Sequence, residues 1–185
     1  MDRRSFLGRA ASAAAATAMT AAFATPLYSA SWRAAPEPPM PDDLAQPVQK
    51  LRKPKSEWRR LLDDDAYDVL FEEATERPWS SPLNKEKRDG KFVCAACFLP
   101  LFEASAKYES GTGWPSFFRP IAGHVATKRD FKLILPRTEY HCARCGGHQG
   151  HVFDDGPPPT GKRYCNNGVA LRFVASGEPM PALRS

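Results

Sequence analysis

Two Cys-x-x-Cys pairs, Cys94–Cys97 in "CAAC" and Cys142–Cys145 in "CARC", constrain this chain more than any other feature. Each spacing lets a tight turn aim two sulfurs at one point, and two such knuckles complete a tetrahedral four-sulfur site of the kind Zn2+ prefers. Forty-four residues separate the knuckles, more than a simple ribbon contains, so a subdomain has to be inserted between them. Four thiolates leave no open coordination position, which makes the expected ion structural, one per chain. Disulfides and a redox dithiol are the competing uses. Two isolated C-x-x-C disulfides would staple little chain, and a redox centre needs only one pair.

The N-terminus bears on that choice, because an exported chain can form disulfides. Residues 1–30 open with Arg3 and Arg4, continue through Phe6 and Leu7, and then run without further charge beyond Arg9 through an alanine-rich stretch. That is the layout of a secretory signal, and "DRRSFLG" resembles the twin-arginine type. The expected location is periplasmic or otherwise extracytoplasmic. A run so rich in Ala and Thr is marginal for spanning a bilayer, so no stable membrane insertion is expected after cleavage. A twin-arginine route carries folded cargo, which lets the thiolates take up metal before they meet an oxidising space.

Residues 31–55 read as a Pro/Ala-rich linker, 56–180 as one folded domain and 181–185 as a loose tail. A net charge of +5, spread along the chain, supplies no basic cluster and gives no reason to expect nucleic acid. Ser56 is a plausible N-cap, with Trp58, Leu61 and Leu62 on one helical face. The "DDD" of Asp63–Asp65 starts a second short helix carrying Tyr67, Leu70 and Phe71. "ERPWSSPLN" breaks the helical pattern. From Lys91 the chain reads as strands: "KFVC", "FKLILP" (Phe131–Pro136), "HVF" (His151–Phe153) and "VALRFV" (Val169–Val174). The fold class is mainly β (α+β), with short N-terminal helices.

With four sulfurs committed, Cys165 in "RYCNNG" stands alone. A lone cysteine is commonly a small buried hydrophobe. Arg163, two positions away and on the same side of an extended segment, argues instead for a thiolate. His148 and His151 lie three apart in "CGGHQGHVF"; a metal saturated by sulfur leaves them free to move protons, the plainer use being to pin a loop. His141 and His124 carry no such motif. In "SGTGWPSF", Trp114 sits between Gly113 and Pro115, in a setting that suits a pocket wall better than a core.

"TERPWSSPLN", "CAAC…LPLFEASAKYESGTGWPSF", "CARCGGHQGHVFDDGP" and "RYCNNGVALRF", in that order, resemble the type B methionine sulfoxide reductases over about Ser56 to Val174. The resemblance implies two antiparallel sheets with the zinc far from the active centre. It implies Cys165 as nucleophile, Trp114 against the substrate methyl group, and His148, His151 and Asn167 as groups that bind or polarise the sulfoxide or the attacking thiol. Phe153 and Arg163 complete the expected substrate pocket. The implied substrate is the R epimer of methionine sulfoxide in oxidised proteins, and a monomer is expected.

Two departures matter. Thr112 stands where many relatives carry a resolving cysteine, so a thioredoxin-like or other external thiol is expected to regenerate Cys165. Gln149 stands where relatives tend to be apolar, with only a local effect expected. A zinc-ribbon binding module and a secreted thiol-disulfide oxidoreductase are the competing readings.

Overall fold

The computed structural model describes residues 47–131 and 136–185. The export segment and most of the linker therefore lie outside the described residues, as do four of the six positions of the "FKLILP" strand. Two helices precede the sheets. Helix α1 is Lys55–Leu61, and Pro54 rather than Ser56 occupies its N-cap. Helix α2 is Asp64–Glu72, where the Asp63 carboxylate accepts from the Ala66 N–H, the interaction that makes aspartate a favoured N-cap. Trp58 of α1 stacks on Phe71 of α2, and both helices turn apolar residues onto the core.

All strand pairs are antiparallel and form two sheets. Strands β1 (Gly90–Cys94), β2 (Pro100–Glu103) and β9 (Leu171–Ala175) make the smaller one, in the order β2-β1-β9. The larger is built from β3 (Lys107–Tyr108), β4 (Ser116–Phe117), β5 (Val125–Asp130), β6 (Arg137–Cys142), β7 (His148–Phe153) and β8 (Arg163–Asn166), in the order β3-β4-β8-β7-β6-β5. Strand β7 is twice as long as "HVF" suggests. Strand β9 starts later than "VALRFV", because residues Gly168–Ala170 form a 3-10 turn.

Phe92 of β1, Phe102 of β2, and Phe117 and Tyr140 of the larger sheet are fully buried. Phe102 and Phe117 stack at 4.1 Å with Tyr140 edge-on to Phe102, so one aromatic cluster joins the two sheets.

Two expectations about the domain's edges need correction. The end of the expected linker is part of the packed unit: Val48 and Leu51 lie against the core, and the Leu51 N–H donates to the Arg144 carbonyl. The tail is not loose either. Arg184 donates from its main chain to the Cys97 carbonyl and from its guanidinium to the Ala96 carbonyl, and its own carbonyl accepts from Arg144. Its guanidinium also lies 4.3 Å from the Phe98 ring centre. Phe98 has φ of +64°, the left-handed turn that closes the first knuckle; Gly146 (φ +75°) does the same in the second. A bulky residue in that conformation needs support from its surroundings, and the Arg172 and Arg184 guanidinium groups supply it.

Candidate active site

The two knuckles converge as their spacing suggests. Cys94 ends β1 and Cys142 ends β6, each turning back through matching main-chain bonds: Cys94 N–H to Leu99 O, and Cys142 N–H to Gly147 O. The sulfurs of Cys94 and Cys145 are 3.7 Å apart, those of Cys97 and Cys142 are 3.5 Å apart, and all four lie within 4.8 Å of one another. A tetrahedron with Zn–S bonds of about 2.3 Å has edges of about 3.8 Å, so the set fits zinc. Hydrogen bonds to Cys142 push the Cys94 and Cys145 thiols up, and hydrogen bonds led by that from Cys142 pull Cys97 far down. Four sulfurs this close cannot all ionise without a cation among them.

Cys165 lies elsewhere, on β8 between β4 and β7. Its Cα is paired with Ser116 on one side and with His151 on the other. Strands β7 and β8 come unusually close: a Cβ on Gly150 would sit 1.9 Å from the Cys165 carbonyl oxygen, so only glycine fits there. Cys165 and His151 both line a cavity of about 270 Å³, together with Trp114, Phe153, Arg163 and Asn167. Six of the seven residues expected at the site thus share one pocket.

The seventh, His148, does not line it. Its ring is buried behind His151, in edge contact at 5.5 Å, with Nδ1 at 3.0 Å from Glu139 Oε1. It can act only through its neighbour. Asn167 lines the pocket with its amide committed to main chain: Oδ1 accepts from the Glu76 N–H and Nδ2 donates to the Gln149 carbonyl. Arg163 makes a bidentate pair with Asp155 and lies 4.2 Å from the Phe153 ring centre, so it is held rather than free to reach.

Sequence reasoning missed three groups. Asp130 and Arg137, cross-strand partners at the ends of β5 and β6, are joined by a 2.7 Å hydrogen bond. The same Asp130 Oδ2 lies 2.8 Å from His151 Nε2. With Asp130 Oδ2 bonded by Arg137, the carboxylate is an acceptor toward His151, so Nε2 carries the proton and donates it. Burial lowers the His151 pKa, which leaves the imidazole neutral near pH 7 with a free lone pair on Nδ1. The third group is Glu76. Its carboxylate accepts from the Gly168 and Val169 N–H groups, its carbonyl accepts from Trp114 Nε1, and its N–H donates to Asn167. One residue of "TERPW" thereby fixes both the indole and the turn after Cys165.

The Cys165 thiol is not the ready thiolate that Arg163 alone would suggest. Burial pushes its pKa up, with Arg163 and a hydrogen bond from Thr112 pulling only partly back. Thr112 belongs to a hydroxyl cluster: Ser110 Oγ lies 2.8 Å from Thr112 Oγ1 and 2.7 Å from Ser116 Oγ.

The family model described as the SelR domain matches residues 62–175. A Pseudomonas fluorescens protein named peptide methionine sulfoxide reductase MsrB is 49% identical over 128 residues, covering 69% of this chain and 98% of its own length. Proteins of the same name from Bradyrhizobium diazoefficiens (49% over 136 residues, 72% and 98% covered) and Methanosarcina barkeri (47% over 129 residues, 69% and 91% covered) are similar.

Proposed function

We infer the chemistry from membership: the chain belongs to the MsrB family of peptide methionine sulfoxide reductases, matched over most of its folded domain. It reduces the R epimer of methionine sulfoxide in oxidised proteins, and its four clustered cysteines hold one structural zinc. The observation that carries the reading is the lone sulfur in one pocket with an indole wall and a carboxylate-oriented imidazole.

Cys165 attacks the sulfoxide sulfur. At rest the thiol is protonated and His151 is neutral, so the proton budget closes on itself. His151 Nδ1 takes the thiol proton as the sulfur–sulfur interaction forms, and the imidazolium is stabilised by Asp130. The same proton passes to the sulfoxide oxygen, which moves to Cys165. The products are a thioether and a sulfenic acid, so the sulfoxide is reduced by two electrons, the thiol is oxidised by two, and no net proton is consumed. Trp114 offers an apolar face to the substrate methyl group. His148 restrains the His151 ring from behind. The zinc, closed by four sulfurs, contributes folding energy.

An external thiol regenerates Cys165. Thr112 supports this, since it supplies a hydroxyl where an internal sulfur would be needed. The protein works as a monomer, exported by a twin-arginine route to an extracytoplasmic space; "DRRSFLG" at the N-terminus supports the export. Among the described residues no helix is long and apolar enough to cross a membrane.

The test is stereospecific reduction of a methionine sulfoxide peptide with dithiothreitol. Wild type is expected to consume the R epimer only and Cys165→Ser to consume neither. Unchanged turnover in the variant overturns the assignment.

A further inference from the structure

Gln149 is fully buried, yet it has no place in the reaction just described. Strand β6 pairs Tyr140 with Gly150 and His141 with His148, which leaves Gln149 as the extra residue of a bulge. Bulges re-aim side chains, and this one sends an amide between the two functional centres. Gln149 Nε2 donates to Cys94 Sγ at 3.5 Å. Its Oε1 accepts from Asn166 Nδ2 at 3.4 Å, and Asn166 Oδ1 accepts from the Tyr140 hydroxyl at 2.6 Å. Its main-chain carbonyl accepts from both the N–H and the side chain of Asn167. Asn166 and Asn167 directly follow Cys165.

Every hydrogen bond in the side-chain chain points the same way, from Tyr140 through Asn166 and Gln149 to sulfur. A metal-bound thiolate has no proton and can only accept. Loading the knuckles with metal therefore fixes which end of the Gln149 amide faces Cys94, and with it which end faces Asn166. A flipped amide would set an NH2 group against the Asn166 NH2 group and leave two buried acceptors unsatisfied, a state that interiors rarely tolerate.

We propose that Gln149 couples the zinc site to the catalytic strand, so that metal occupancy sets the position of Asn166 and through it the presentation of Cys165. Gln149 is a positioning residue for both centres. The metal is then more than a distant staple. The effect expected from the sequence was local; the side chain instead spans the gap between the centres.

The test uses the zinc-loaded enzyme and two variants that keep volume while removing the amide, Gln149→Met and Gln149→Leu. Loss of a hydrogen bond to a metal ligand is expected to speed zinc release to a chelator by about tenfold. Cys165 alkylation by iodoacetamide is expected to change by at least about threefold, and Gln149→Glu is not used because a buried carboxylate would add a charge of its own. A lower melting temperature with zinc release and alkylation both at wild-type rates would mean packing only and overturns the proposal; so does a change in just one of the two rates. In case neither variant folds, unmutated protein loaded with cadmium provides an independent readout. Scalar coupling between the metal and the Gln149 Nε2–H is expected, and its absence overturns the proposal. The zinc-release arm does not depend on Cys165 being the nucleophile, so it separates failure of this inference from failure of the catalytic reading.

Discussion

The five cysteines occupy two environments, one where the ends of the two sheets meet and one in the middle of a strand of the larger sheet. Four sulfurs converge at the ends of β1 and β6 in a buried site whose mutual repulsion calls for a cation. The fifth sits mid-strand on β8 at the wall of a pocket, and its neighbours are an imidazole, an indole, hydroxyls and a guanidinium. The contrast shows that cysteine chemistry is set by what surrounds the sulfur. Four thiolates around an ion have no reactivity to spare, whereas the proposed function assigns the reaction to the one half-buried thiol, whose strand partner is an imidazole.

The comparison breaks most decisively under substitution of one sulfur from each group. Cys165→Ser should lose at least about a thousandfold in turnover while binding one zinc and melting like wild type. Cys97→Ser should lose the zinc and the cooperative melt together, as measured by metal content and calorimetry. Equal damage to folding from both would erase the distinction.

Asp130→Asn should come next. An amide can no longer enforce the Nε2–H tautomer of His151, and about a hundredfold loss in kcat is expected, with a smaller change in KM. A variant with wild-type kcat would show that His151 needs no orienting carboxylate.

Thr112→Cys sharpens the contrast by adding a sulfur to the reactive group. Because Thr112 and Cys165 line the same pocket, the oxidised variant should form an internal disulfide, read as a loss of two hydrogens by mass spectrometry. Oxidised wild type should retain a sulfenic acid that reacts with dimedone.

The smallest expected effect concerns pH. Burial raises the folded-state pKa of Cys165 above its ordinary value, so the thiol form persists to higher pH than in an exposed cysteine. The alkylation rate of Cys165 should accordingly still be rising at pH 9. A plateau reached by pH 7 would mean that Arg163 and Thr112 outweigh burial.

The metal site was legible in the sequence because its ligands lie three apart in two places, a pattern local enough to survive without a fold. Cys165, His151 and Trp114, which share the pocket, each sit in a short stretch with glycine or a partner beside it; His148 has the same sequence setting, yet its ring lies behind His151 and off the pocket. Asp130 and Arg137 were not legible. They flank an apolar run that carries no motif, and they meet only because β5 pairs with β6 so that their Cα positions face each other. Glu76 was hidden for a related reason: its partners, at Trp114 and at Asn167–Val169, lie far along the chain. The raised Cys165 pKa was misjudged because neighbours in sequence reveal charge but not burial. The contacts of Gln149 were not legible, because a bulge redirects a side chain that strict alternation would have left on the pocket side.

The anchoring of Arg184 carries a practical lesson for anyone preparing this protein. Arg184 donates to the carbonyls of Ala96 and Cys97 and lies over the Phe98 ring, whose backbone takes the left-handed turn of the first knuckle. An affinity handle placed beside Arg184 would compete for the carbonyls of the first knuckle, so a handle placed elsewhere is the one that should yield fully metallated protein.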